Sequence, residues 1–407
     1  MTRSPAKTIF AIPALALAAL LGAASLAQAA DWPGYHGPNR DRITQESGWM
    51  NEWENQGPEM LWRKNLGPGY SSVAVVGDHV YTMGYDTQTN EDVVYCLDIA
   101  TGEPKWTHRY PCEIIDNMHE GGPAATPTIY DGKVYTISKE GHFHCLDAAN
   151  GDVIFAHDLK EVLGVETPTW GFSGSPLILG DHVVVDMGVI AAFTLDSGEL
   201  VWKTENYGEA YASPVEFEWN GETLIAAFPR YGLVILQAED GEQVTKFPWE
   251  TSYGVNAATP IVHGDTIFIS SGYNVGCAKL QLREGTSPEV VWRNKEMRNQ
   301  FNASVLYEGY LYGFDESDLV CLNYETGDVA WREERLGKSS LIIADGNLVI
   351  QSENGELIIA PASPDGFEPT GRMQVLGGTN WTCPVLANGY FVGRNAIGHT
   401  VALDMTP

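Results

Sequence analysis

The sequence predicts an all-β fold, an eight-bladed β-propeller whose last blade is closed by an N-terminal strand. Three observations predict it. One short pattern recurs eight times at a blade-sized period, and each copy carries turn signals spaced for four antiparallel strands. The 407 residues also include 43 Gly, 12 Trp, 18 Tyr and 13 Phe, the composition of many short strands joined by tight turns.

The elements follow in chain order. Residues 1–29 are expected to be a cleaved signal peptide: Arg3 and Lys7 make a basic start, Ile9 to Ala24 an apolar stretch, and Ala27-Gln28-Ala29 a small-residue exit. A membrane anchor is the competing reading, disfavoured by Pro13, the many alanines and that exit. No Cys follows the apolar stretch as a lipid attachment site. The expected location is therefore periplasmic or secreted, with no membrane anchor after cleavage, and the expected state is a monomer. Residues 30–56 form an opening segment, and residues 57–407 the propeller.

Gly57 to Lys64 reads as an orphan last strand. Eight copies follow. Each opens on a small residue, often before Pro, and runs through an apolar strand to a Gly-containing turn. The copies open at Ser72, Thr126, Ser175, Ser213, Thr259, Ser304, Ser340 and Cys383, advancing by 36 to 54 residues. In most copies a Leu-Asp step leads through a turn Gly to an aromatic strand, as in Cys96-Leu97-Asp98, Gly102 and Trp106. That final aromatic is suited to filling the space between neighbouring sheets. The eighth copy stops at Pro407 before its last strand, and the orphan strand at 57–64 is expected to supply it, removing an exposed sheet edge. Cys96, Cys145 and Cys321 share one repeat position, which favours buried small apolar residues over disulfides.

The charge excludes a partner class. Against 24 Lys and Arg stand 53 Asp and Glu, a formal charge of −29, so no basic footprint exists for nucleic acid. No GxSxG elbow, P-loop, HExxH, CxxC or CxxCH is present. His142 and His144 lie two apart on one strand, without a third ligand nearby in sequence, and no metal site is assigned.

The repeat resembles that of the pyrroloquinoline-quinone (PQQ) propeller family. Thr126-Pro127, Asp131-Gly132-Lys133-Val134-Tyr135 and Cys145-Leu146-Asp147 with Gly151 spell it best. Trp32-Pro33-Gly34-Tyr35-His36-Gly37-Pro38-Asn39-Arg40-Asp41 and Trp170-Gly171-Phe172-Ser173-Gly174-Ser175-Pro176 resemble segments of secreted PQQ-binding-like propeller repeat proteins of the planctomycete type. The resemblance spans the chain after residue 29 and is specific for fold, not for chemistry.

In a propeller, the loop feeding each innermost strand opens near the axis on one face. Those loops hold Tyr70, His119, Glu120, Trp170, Glu209, Tyr211, Asn256, Arg298, Asn302, Lys338, Asn380 and Trp381. Convergent polar groups beside aromatic walls suit a pocket for a small polar ligand. The same groups would equally serve to satisfy the loop backbones. Arg298 and Lys338 stand out in so acidic a chain, either as ion-pair partners of Glu209 and Glu120 or as receivers of an anion. The function expected is a binding or interaction module, taking a small polar or anionic ligand or an extracytoplasmic protein at the central loop face. The architecture also resembles the quinoprotein alcohol dehydrogenases, which implies an alternative, a PQQ-dependent alcohol or sugar dehydrogenase. PQQ with Ca²⁺ would then use Trp170 or Trp381, Glu209, Asn256 and Arg298, although no evident Asp base, adjacent-Cys ring or haem motif accompanies them. A further resemblance, to the propeller lipoprotein of the outer-membrane β-barrel assembly machinery, implies a non-catalytic scaffold.

Overall fold

The structure, a computed structural model, describes residues 1–2 and 29–407, so nearly all of the predicted signal peptide lies outside the described residues. Eight antiparallel sheets follow one another in a propeller arrangement. Blades 1 to 7 are continuous in sequence, at residues 74–111, 128–158, 177–206, 215–248, 261–294, 305–333 and 340–374. Blade 8 takes three strands from residues 385–404. Its outermost strand is Glu59–Asn65, which pairs antiparallel with His399–Asp404, from Glu59 opposite Asp404 to Asn65 opposite His399. The ring is closed by the expected N-terminal strand, which begins two residues and ends one residue later than the pattern suggested.

Burial within a blade follows strand position. The two middle strands are packed on both faces and read as unbroken apolar runs, as in Asn347–Gln351 and Glu356–Pro361. The outermost strand, as in Pro104–Pro111, alternates because one face meets a neighbouring blade and the other meets water. In blades 1 and 6 the same trio crosses three strands: Tyr81, Cys96 and Trp106, and Tyr312, Cys321 and Trp331. All six cysteines are free and buried, and those of the shared repeat position act as small apolar side chains between aromatic rings.

In four of the eight blades a Trp of the outermost strand is hydrogen-bonded to the next blade. Trp62, Trp106, Trp292 and Trp331 donate their indole N–H to Ile99, Ala148, Tyr324 and Ser363 carbonyls, at 2.7, 2.9, 3.0 and 2.7 Å. Each acceptor belongs to the following blade. Trp106 lies flat on Gly151, where a Cβ would sit 2.6 Å from ring carbon Cε3 and the backbone φ is +79°. A side chain there would push the two sheets apart.

The opening segment is more than a lead-in. Trp32 bridges Val75 in blade 1, the Pro33 carbonyl accepts from Ile129 N–H in blade 2, and Arg40 donates to the Pro176 and Pro214 carbonyls leading into blades 3 and 4. Arg42, 1% exposed, donates to the Ala303 carbonyl at 2.7 Å and to Ser340 Oγ, and Ile43–Thr44 adds a parallel strand to Ser340–Ala344 of blade 7. Glu46 accepts from the Asn388 and Gly389 N–H groups of blade 8. Residues 30–46 thus close one end of the central channel. At the seam, buried Arg394 of blade 8 donates to the Gly67, Ser71 and Met83 carbonyls and to Thr82 Oγ1, tying blade 8 to blade 1. Burial lowers its pKa to about 10, which still leaves it charged at neutral pH.

Candidate functional site

The loops that feed the innermost strands and the turns that join the second strand to the third emerge on the face opposite the opening segment. They surround a cavity of about 640 Å³. Tyr35 of the opening segment lines it from within, so the channel is a cup rather than a through-hole.

Seven of the predicted residues line the cup: Tyr70, His119, Trp170, Tyr211, Asn302, Lys338 and Trp381. Trp381 anchors one wall. Its ring lies 5.8 Å from Tyr70 at 20°, 5.1 Å from His119 at 86° and 4.8 Å from Phe301 at 44°. Its indole N–H donates to Glu353 Oε1 at 2.8 Å, and its carbonyl accepts from Asn302 at 3.2 Å. Trp170 and Tyr211 meet edge to face at 5.9 Å on another wall, with the Tyr211 hydroxyl buried and unpartnered. Glu120 is bound from behind the wall, its carboxylate accepting from the Tyr70 hydroxyl. Burial first, then the Glu120 carboxylate, push the Tyr70 phenol above its ordinary range.

The other four predicted residues do not join the lining. Arg298 faces neither Glu209 nor Glu120. Its guanidinium is held by Asp315 of its own blade, with Nε 2.5 Å from Oδ1 and Nη2 2.9 Å from Oδ2, and Arg332 reaches the same carboxylate at 2.8 Å. Burial alone would raise the Asp315 carboxyl, but the two guanidiniums hold it below the usual carboxylate range. Asn256 is buried, its amide donating to the Pro229, Arg230 and Trp249 carbonyls and its oxygen accepting from Ser271. Asn380 donates to the Glu353 and Gly378 carbonyls. Glu209 lies 3.8 Å from Arg230. Arg298 and Glu209 are thus paired with charged neighbours other than the expected ones, and Asn256 and Asn380 are bonded to loop carbonyls, because a Gly-rich loop buried near the axis leaves carbonyls that water cannot reach.

The cup has members the repeat pattern did not reveal. Lys139 and Tyr273 come from the second-to-third-strand turns, which carry no shared marker. Tyr35 comes from the opening segment. Neither Lys139 nor Lys338 is ion-paired to a carboxylate. Burial lowers the Lys139 pKa to about 8, with the Asp92 and Glu120 carboxylates opposing it. Burial also lowers the His119 pKa, with the Glu120 charge opposing it and the two ammonium groups lowering it further.

The donor set for a calcium-held quinone does not assemble. Asn256 and Arg298 are spent on carbonyls and on Asp315, and Glu209 stands outside the cup. Among the described residues no group of three or more His, Cys, Asp or Glu is arranged to hold a metal ion. His142 and His144 instead pack on Tyr110, at 5.6 and 4.2 Å.

Comparison with known proteins adds the following. Residues 91–333 match the family described as outer membrane protein assembly factor BamB. The BamB of Yersinia pestis is 22% identical over 368 residues, covering 84% of this chain and 88% of that protein. Among solved structures, BamB from Moraxella catarrhalis is similar with a TM-score of 0.61 at 16% identity, covering 86% of this chain and 98% of that one. The quinohemoprotein alcohol dehydrogenase from Comamonas testosteroni is similar with a TM-score of 0.67 at 13% identity, covering 92% and 80%. At such identities the structural likenesses speak for the fold.

Proposed function

The chain belongs to the BamB family of PQQ-type repeat propellers, and from that premise we propose that it is an extracytoplasmic binding module whose cup receives a small anionic ligand. The observation that carries this is the pair of ammonium groups, Lys139 and Lys338, left without ion-pair partners among aromatic walls in a chain of formal charge −29. Half of the Lys and Arg among the described residues, 11 of 22, reach a carboxylate within 4.0 Å, and of the rest only Lys139 and Lys338 line the cup. Ammonium groups beyond ion-pair distance of any carboxylate, in a concave aromatic site, suit an anion from outside.

A protein partner is the second reading. The family is named for an assembly factor, and two lining residues, Met118 at 84% and Tyr253 at 61% exposure, offer apolar surface a partner would cover. The quinoprotein dehydrogenase reading is supported by the shared architecture and by 26% identity, over 36% of this chain, to a polyvinylalcohol dehydrogenase, but the residues expected for its calcium site are otherwise engaged.

The test uses anilinonaphthalene sulfonate, a flat aromatic anion, as probe. Its fluorescence titration should show saturable binding, which Lys338→Met weakens about tenfold through loss of a charge-assisted contact, with unchanged circular dichroism. Arg298→Ala should leave the affinity unchanged. Equal affinity of wild type and Lys338→Met overturns the anionic reading.

A further inference from the structure

Lys139 lies in the turn between Lys133–Ile137 and His142–Asp147, and its side chain is held in one direction. Ser138 Oγ accepts from the Glu140 and His142 N–H groups at 3.2 and 2.9 Å, fixing the turn. The Lys139 carbonyl accepts from Phe172 N–H at 3.0 Å. Gly171, at φ +73°, lies so close to the lysine stem that its own Cβ would come within 2.8 Å of Lys139 Cβ and 3.0 Å of Cδ. The stem is clamped, and the ammonium sits 5.8 Å from the centre of the Tyr70 ring with the residue only 6% exposed.

A desolvated lysine with no carboxylate within ion-pair distance is a form in which an amine becomes a nucleophile. With its pKa near 8, roughly a tenth of Lys139 is uncharged at pH 7, far more than of an ordinary lysine, even beside Asp92 and Glu120. Next to it stands a group that can move protons, the Tyr70 hydroxyl bonded to the Glu120 carboxylate. Lys338 supplies a fixed positive charge in the same cup.

We propose that Lys139 is the amine of a carbonyl-trapping site, forming a reversible imine with a small α-oxo carboxylate whose carboxylate group is received by Lys338. This rests on the anionic-ligand reading and adds a covalent step to it. The neutral Nζ attacks the carbonyl carbon, the C=O π pair moves to oxygen, and that oxygen takes a proton. The nitrogen gives up a proton to yield a neutral carbinolamine. The hydroxyl then leaves as water with a second proton, the nitrogen lone pair forms the C=N bond, and loss of the remaining N–H proton gives the imine. One amine and one carbonyl become one imine and one water, and hydrolysis reverses the step.

The full chain is incubated near neutral pH with pyruvate and cyanoborohydride, which converts an imine into a stable secondary amine, and the modified lysines are mapped by mass spectrometry. Lys139 should be modified on the order of tenfold faster than exposed Lys246 and Lys295, as a desolvated amine requires. Lys139→Arg should abolish that modification and leave the surface sites labelled. Lys338→Met should slow labelling of Lys139 by pyruvate but not by propanal, which has no carboxylate. If Lys139 in the folded wild type labels no faster than Lys246 while the sulfonate probe still binds, the imine is overturned and the anion site stands. If Lys338→Met changes neither pyruvate labelling nor probe affinity, both fall.

Discussion

Asp186 ends the second strand of blade 3 with its carboxyl group buried. One oxygen accepts from Gly188 N–H at 2.9 Å and the other has no partner. Desolvation raises its pKa to about 7, with the Gly188 bond acting the other way. An acid whose folded pKa lies above its unfolded value binds more protons when folded, so it stabilises below the unfolded pKa and that contribution is lost as pH rises towards 7. Asp186→Asn, which keeps the shape and removes the ionisation, should therefore gain stability over wild type as pH rises from 4 to 8, by roughly 2–4 kcal/mol at about 1.4 kcal/mol per pKa unit. Urea unfolding of both proteins at the two pH values checks it, and an offset independent of pH counts against it. Residue types at loop positions were legible in the sequence, but not their employment. Arg298 and Lys338 look alike in the chain, and only the carboxylate of Asp315, 17 residues after the arginine, separates a spent cation from an available one.

At the scale of the strand, the repeated outer aromatic is the joint between blades. Trp106 buries its ring against Gly151 and donates across the interface to the Ala148 carbonyl. Trp106→Ala removes the ring and leaves that carbonyl only the longer bond from the Tyr81 hydroxyl, a loss of about 3–5 kcal/mol for a large buried aromatic. Chemical denaturation should register the loss, and amide exchange should accelerate first in blades 1 and 2, because each sheet contacts mainly its neighbours. This joint could be read from sequence because it recurs at one position in most copies. Lys139 could not be, since the turn that presents it has no counterpart of the same composition in the other repeats.

For the whole molecule, closure is shared between two distant pieces of chain. Glu59–Asn65 pairs with His399–Asp404 and buries Trp62 against blade 1, while residues 30–46 close one channel mouth. Deleting residues 57–65 should cost at least the roughly 3–5 kcal/mol of one buried Trp and leave His399–Asp404 as a bare sheet edge. Thermal melting should show the loss of stability, and light scattering should show association through the new edge. A monomer with unchanged melting would mean that the seam does not hold the ring.

Fold, blade number and seam follow from the amino-acid sequence because they rest on periodicity. Turn residues, alternation and a recurrent aromatic repeat eight times, and a strand missing at one end is present at the other. The cup follows from no period. Its floor is an arginine-anchored segment folded back into the channel, and its cations are defined by which carboxylates reach them. Distances of a few ångströms between residues far apart in the chain decide such matters, and only the closed ring sets those distances.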